Sequence, residues 1–98
     1  MMFVIEGTDT PDSAAVRDTH TDAHVAYLLA LSERFVLGGP FLGADGRPDG
    51  SLVVIEAESL ADAEAFAAAD PFVLNGVYAE VSVRAWAFGH LRAGGRGA

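Results

Sequence analysis

The sequence predicts an α+β domain in which two helices cover one face of a four-stranded antiparallel sheet, in the order βαββαβ. Three observations carry this. Four short segments are rich in β-branched and aromatic residues, and the last of them alternates between small and large side chains. Two longer segments repeat apolar residues at helical spacing, each preceded by residues that start helices. The second and third β segments are separated only by the glycine- and proline-rich "GADGRPDG", which predicts a hairpin.

The first strand is Met2 to Gly7 ("MFVIEG"), bounded by the turn-forming "GTDTPDS". Thr10, Pro11, Asp12 and Ser13 start the first helix, with proline tolerated and a carboxylate favoured in a first turn. That helix is expected to run to about Arg34. "RFVLGGPFL" forms the second strand, curved by Gly38, Gly39 and Pro40. "SLVVIEA" forms the third. Ser59 with Asp62 three residues on reads as a capping box opening the second helix, "LADAEAFAAA". Pro71 stops it, because the residue before a proline is pushed out of helical geometry. In the last strand, odd positions from Val77 to Ala87 are small and apolar. Even positions, including Tyr78, Arg84 and Trp86, are large or polar. A single domain over 1–88 is therefore expected, with 89–98 ("GHLRAGGRGA", four glycines) as a flexible tail.

This order is the ferredoxin-like arrangement. Its helices cover one face of the sheet only, while the last strand presents demanding side chains on both. The uncovered face, with Tyr78, Arg84 and Trp86, is expected to pack against a second copy, giving a homodimer with the form of a dimeric α+β barrel. A chain of 98 residues buries a modest share of its surface alone, which favours the same solution.

Composition removes several chemistries. Cysteine is absent, so there is no disulfide, thiol nucleophile or thiolate metal site. All six positive charges are arginine, which removes a lysine Schiff base. A net charge of −8 argues against nucleic acid or an anionic membrane surface as partner. No apolar run has the length of a membrane span, and no secretory leader pattern is visible. The expectation is a cytoplasmic protein acting on a small molecule without a cofactor: no nucleotide-binding glycine loop or flavin or haem motif stands in the sequence.

The candidate site begins with "THTDAHVAYLLAL". On a helical wheel centred on His24, Leu28 and Leu31 fall within about 40°, His20 about 40° to one side and Arg17 about 20° to the other. One stripe thus changes from leucine to cationic or titratable groups as it nears the helix start. In the second helix Ala63, Phe66 and Ala67 make the buried face, and Asp70 extends that series. There it would sit at the negative end of the helix dipole, which disfavours a carboxylate by up to about 1 kcal/mol and calls for a cationic partner. The alternative is that Asp70-Pro71 is a plain turn with its carboxylate in water.

The histidines admit three readings. A metal would need a third ligand, and neither a metalloprotease motif nor a dependable third histidine is present, so no metal site is expected. A structural core histidine leaves Arg17 in the same buried stripe without a purpose. General acid–base chemistry fits best, with His24 as base or acid and a carboxylate fixing its tautomer and stabilising its charged form. His20 reads as a helper at the rim. Ser51, at the start of the third strand, could orient a ligand; without a G-x-S-x-G turn it is no nucleophile.

"HVAYL", "GGPF", "DGRPDGSLVVIEAES" and "DPF", in this order, resemble the YciI or YCII-related proteins, from the first strand to Trp86. The resemblance implies a ferredoxin-like fold, a dimeric α+β barrel, and a histidine–aspartate active-site pair at His24 and Asp70. It departs from the family pattern near the histidine: Thr21 stands three residues before it, and Arg17 lies two turns away. Dehydrochlorinase-type enzymes acting on hydroxylated aromatics are among the implied relatives. Residues and resemblance together point to a small lyase or isomerase moving a proton on an aromatic or lactone-like substrate, with Arg17, Ser51 and His20 as substrate-binding candidates. A non-catalytic ligand-binding or accessory module and a cofactor-independent monooxygenase are the alternatives.

Overall fold

The computed structural model describes residues 1–90. Its elements are β1 (Met2–Asp9), α1 (Ala14–Leu29), β2 (Phe35–Leu42), β3 (Pro48–Glu56), α2 (Leu60–Ala68), α3 (Pro71–Leu74) and β4 (Tyr78–Trp86), with a short 3₁₀ turn at Ser32–Arg34. The sheet order is β2-β3-β1-β4 and every neighbouring pair is antiparallel. This is the ferredoxin-like fold. No helix among the described residues is long and apolar enough to cross a membrane. Of the expected tail, residues 91–98 lie outside the described residues.

One face of the sheet carries the core. Phe3 and Ile5 of β1 pair with Ile55 and Val53 of β3, and this patch is closed by Leu28 of α1 and Ala63 and Ala67 of α2. Alternation along each strand sends Phe3, Ile5, Gly7 and Asp9 towards the helices and their neighbours to the other side. Gly7 is glycine because the chain has no room for more: a Cβ there would lie 2.6 Å from the ring of Tyr78.

Several expected boundaries move. The first helix ends at Leu29 rather than near Arg34: the Leu31 N–H turns back to the Leu28 carbonyl at 3.1 Å, and Ser32 adopts φ 56°, which no helix can continue through. Its N-cap is Ser13, so Pro11 and Asp12 belong to the turn ahead of the helix and not to its first turn. The Ser13 hydroxyl donates to the Thr10 carbonyl at 2.8 Å, tying that turn together. Ser59 caps α2 as expected, accepting from the Asp62 N–H at 3.1 Å.

A larger correction concerns β4. The pairing of β1 with β4 runs Thr8 to Glu80 and then Asp9 to Tyr78, so Ala79 is skipped in a bulge. The bulge turns Tyr78 to the helix side, where its ring meets Phe72 edge-on at 5.8 Å. Tyr78 therefore does not share the face of Arg84 and Trp86, and strict alternation through 78–88 fails at this one residue.

Candidate active site

Beyond the apolar core, the helix-to-sheet interface becomes polar. Arg17, His24, Ser51 and Asp70 are all buried there, each less than a tenth exposed. Arg17, His24 and Leu28 are the buried residues of α1, a single stripe running from guanidinium to imidazole to leucine.

Asp70 is not at the end of the second helix. That helix closes at Ala68, and Asp70 takes an extended conformation (φ −61°, ψ 132°), as a residue before proline should. Asp70 is instead the N-cap of α3, with Pro71 in the first helical position. Its Oδ1 accepts from the Phe72 N–H at 2.9 Å. The carboxylate thus stands at the positive end of a short helix, where it is favoured, and the expected dipole conflict does not arise.

From the cap position Asp70 reaches His24. The His24 Nδ1 lies 2.8 Å from Oδ1 and 2.9 Å from Oδ2 of Asp70. A carboxylate only accepts, so Nδ1 carries the proton and donates to it, which leaves the lone pair of a neutral ring on Nε2. The Phe72 ring stacks on the imidazole, with centroids 4.0 Å apart and planes 10° from parallel. Phe72 itself is fully buried, so the histidine is held by an acceptor at one edge and a fixed ring against its face.

Arg17 is held as firmly. Nε and Nη2 donate to the two oxygens of Asp9 at 2.7 and 2.9 Å, a bidentate pair, and Nη2 also meets the Gly50 carbonyl and Ser51 Oγ, each at 2.9 Å. Its Cζ stands 4.7 Å from the centre of the Phe72 ring. Burial pulls the arginine's pKa down, but the hydrogen bonds and charge of Asp9 more than reverse this, so its cation is secured. Behind Ser51, burial pushes the Tyr78 hydroxyl up to about 12; the Ser51 contact opposes that rise and the charge of Asp70 adds to it. Tyr78 is a neutral phenol at any ordinary pH.

Among the described residues, no buried side-chain nitrogen or oxygen lacks a hydrogen-bond partner. Among those residues His24 Nε2 and Arg17 Nη1 have no such partner, so both reach accessible space. Both residues line a cavity of about 330 Å³, bounded by α1 on one side and by the edge strand β2 on the other. His24, Arg17, Ser51 and Phe72 contribute to its wall, and Leu28, Phe35 and Pro40 make it largely apolar. The arrangement offers a lone pair, an N–H donor of a fixed cation and a hydroxyl to a small flat molecule that the apolar walls can hold.

The structure thus brings together four of the five expected residues: His24, Asp70, Arg17 and Ser51. His20 is the exception. It is only half-buried and does not line the cavity, because one turn before His24 the helix stripe turns towards Arg17 and leaves His20 at its margin. Among the described residues no three His, Asp or Glu side chains converge as metal ligands would. Two participants, Asp9 and Phe72, were not singled out from sequence, and a third, Tyr78, was assigned to the uncovered face. Asp9 could have been found, since extending the Phe3, Ile5, Gly7 alternation by one step sends it to the helix side. Phe72 stands in the "DPF" motif without any sign of its stacking role, and Tyr78 is re-aimed by a bulge that alternation cannot show.

A family model for the YCII-related domain matches residues 1–87. Protein YciI of Escherichia coli O6:H1 is 39% identical over 92 residues, spanning 86% of this chain and 94% of its own length. Among solved structures, the 5-chloro-2-hydroxyhydroquinone dehydrochlorinase of Burkholderia phenoliruptrix AC1100, in complex with 2,5-dihydroxybenzoquinone, superimposes with a TM-score of 0.84. It is 38% identical, and the match covers 91% of this chain and 96% of that one. An antibiotic biosynthesis monooxygenase, 14% identical with a TM-score of 0.52 over 86% of this chain and 94% of its own, shares the fold alone. With the family match running from the first strand through the last, this chain belongs to the YCII-related family.

Proposed function

We propose that the protein is a cofactor-independent enzyme of the lyase or isomerase type, moving a proton on a small hydroxylated ring. The observation that carries this reading is the buried His24, with Nδ1 held by Asp70 and Nε2 open to an apolar cavity beside Arg17 and Ser51. In the reaction, Nε2 takes the proton of a ring hydroxyl and the imidazolium is stabilised by the carboxylate already bonded to Nδ1. The developing oxyanion meets Arg17 Nη1 and the Ser51 hydroxyl. The same imidazolium can return the proton to a ring carbon, an isomerisation. Where that carbon bears chlorine, a second ring hydroxyl gives its proton to the freed Nε2 as the C–Cl bond breaks, so that the net loss is a proton and a chloride, the ring is left as a quinone, and no external oxidant or reductant is needed. The similar dehydrochlorinase bound to a dihydroxybenzoquinone supports a ring of this class.

The test is chloride release from 5-chloro-2-hydroxyhydroquinone by the wild type and by His24→Gln and Asp70→Asn. Turnover is expected to fall by roughly 10²–10⁴-fold in each variant with the fold intact by circular dichroism. Full activity in either variant would sink the acid–base reading. Binding of 2,5-dihydroxybenzoquinone without turnover of any chlorinated or lactone ring would favour a ligand-binding module instead.

The working unit is proposed to be a homodimer joined through the uncovered sheet face. Register assigns Val4, Leu37, Phe41, Leu52 and Trp86 to that face, together with the buried Val54, and Leu37, Phe41 and Trp86 are 48%, 40% and 39% exposed. Sedimentation equilibrium at micromolar concentration is expected to give twice the chain mass. A single-chain mass would remove the barrel.

A further inference from the structure

The wall of the cavity opposite α1 is an edge strand with Gly38 near its middle. Gly38 pairs with Val53, a core residue facing the helices, so a side chain at 38 would point to the helix side of the sheet. Nothing in the fold demands a glycine there. Its φ lies outside the left-handed region, and the nearest atoms an added Cβ would meet, on the Leu52 carbonyl and the Phe35 ring, lie at 3.4 Å, the near edge of ordinary contact. At Gly7 the same addition would drive a carbon to 2.6 Å from the Tyr78 ring. A glycine within a strand is also the least favourable residue there, since it loses the most freedom on folding and packs nothing. Gly38 therefore weakens the strand without relieving any steric conflict, and the space it leaves is cavity.

From this we infer that Gly38 is a specificity-determining residue: its missing side chain sets the size of the ring that can lie between β2 and His24. The inference rests on the ring-substrate reading above and adds to it the element that selects among rings. A flat ring entering the cavity would bring one face against the bare backbone at Gly38, between Phe35 and Pro40, with a hydroxyl directed towards His24 Nε2 and Arg17 Nη1. Because β2 is an edge strand, a side chain at 38 would narrow this slot from its outer wall and meet the apolar core at the Phe35 ring.

The experiment measures, by titration calorimetry, the affinity of wild type, Gly38→Ala and Gly38→Val for 2,5-dihydroxybenzoquinone, together with the melting temperature of each. Affinity is expected to fall about tenfold with alanine, the low end of what one methylene-sized change in a pocket produces, and further with valine. Melting temperature should hold or rise in both, because each restricts the unfolded chain and valine favours strands. Undiminished affinity in Gly38→Val overturns the inference. A loss of affinity that comes with a lowered melting temperature overturns it too, since that is what a purely structural glycine would give. Failure of the wild type to bind the ring is a different result: it overturns the ring-substrate reading, and this inference with it.

Discussion

The two faces of the sheet reverse the usual distribution of side chains. The face under the helices is where burial is deepest, yet next to its apolar core it buries Arg17, Asp9, His24, Asp70 and Ser51. The face without helices is exposed, yet it carries Leu37, Phe41, Leu52 and Trp86. Buried charge and exposed apolar surface are the informative exceptions to hydrophobic burial, and here each has its own meaning. Charge on the covered face is fully bonded except at the two nitrogens that open to the cavity, which is how a site prepared for a ligand differs from a core that tolerates polarity. Apolar surface on the uncovered face has no such inner order and requires only cover.

The sharpest way to break this comparison is to unbalance the covered face. Asp9→Ala leaves the Arg17 guanidinium buried with only a carbonyl and a hydroxyl as partners. Removing one member of a buried pair costs about 3–5 kcal/mol, which urea unfolding would measure, and ring binding should weaken as Arg17 loses its orientation. A loss below about 1 kcal/mol would mean that the network is ornamental.

A smaller effect tests which face owns Tyr78. Burial raises the Tyr78 hydroxyl to about 12, two units above its ordinary 10. Between these values the unfolded chain releases a proton that the folded chain keeps. Stability is therefore whole below pH 10 and is lost as pH rises towards 12. Tyr78→Phe should remove that part of the alkaline decline. A tyrosine on the exposed face would titrate with the unfolded chain, and the two proteins would then decline in parallel.

The least disruptive probe is Leu37→Asp on the uncovered face. A charge placed opposite its own copy should weaken dimerisation by roughly 10–100-fold, or about 1.4–2.8 kcal/mol, shifting the sedimenting mass towards one chain without lowering the melting temperature of the isolated domain. An unchanged mass distribution would move the interface elsewhere.

The architecture was legible in the sequence because each element announces itself locally. "GADGRPDG" between two β-rich runs gives the hairpin, Ser59 and Asp62 give the second helix start, and Pro71 gives its end. The stripe Arg17, His24, Leu28 was readable by helical spacing, and Asp70 by continuing the buried series of α2. The reason given for Asp70 was nevertheless wrong in sign: four residues beginning with the proline are enough for a helical turn of their own, so a carboxylate expected at a negative end caps a positive one. Local patterns also missed whatever depends on a partner strand. The bulge opposite Thr8 and Asp9 is a relation between β1 and β4, and neither strand shows it alone. His20 illustrates a similar limit, since about 40° on a wheel does not say which side of His24 the cavity takes.

The His24–Asp70 contact has a consequence for how the chain assembles its candidate site. The two residues are 46 positions apart, and Arg17 meets Gly50 and Ser51 across 33 and 34 positions. Contacts of that sequence separation form only after the long segments between them have closed, and no local helix or hairpin contains both halves of either pair. A fragment ending before α3, or an intermediate with native helices but unpaired strands, has every reactive group and none of the site. Ligand binding at this site would then be a gauge of completed topology: it would appear when these distant segments have met, and a destabilised variant would lose it in proportion to the molecules that have come open.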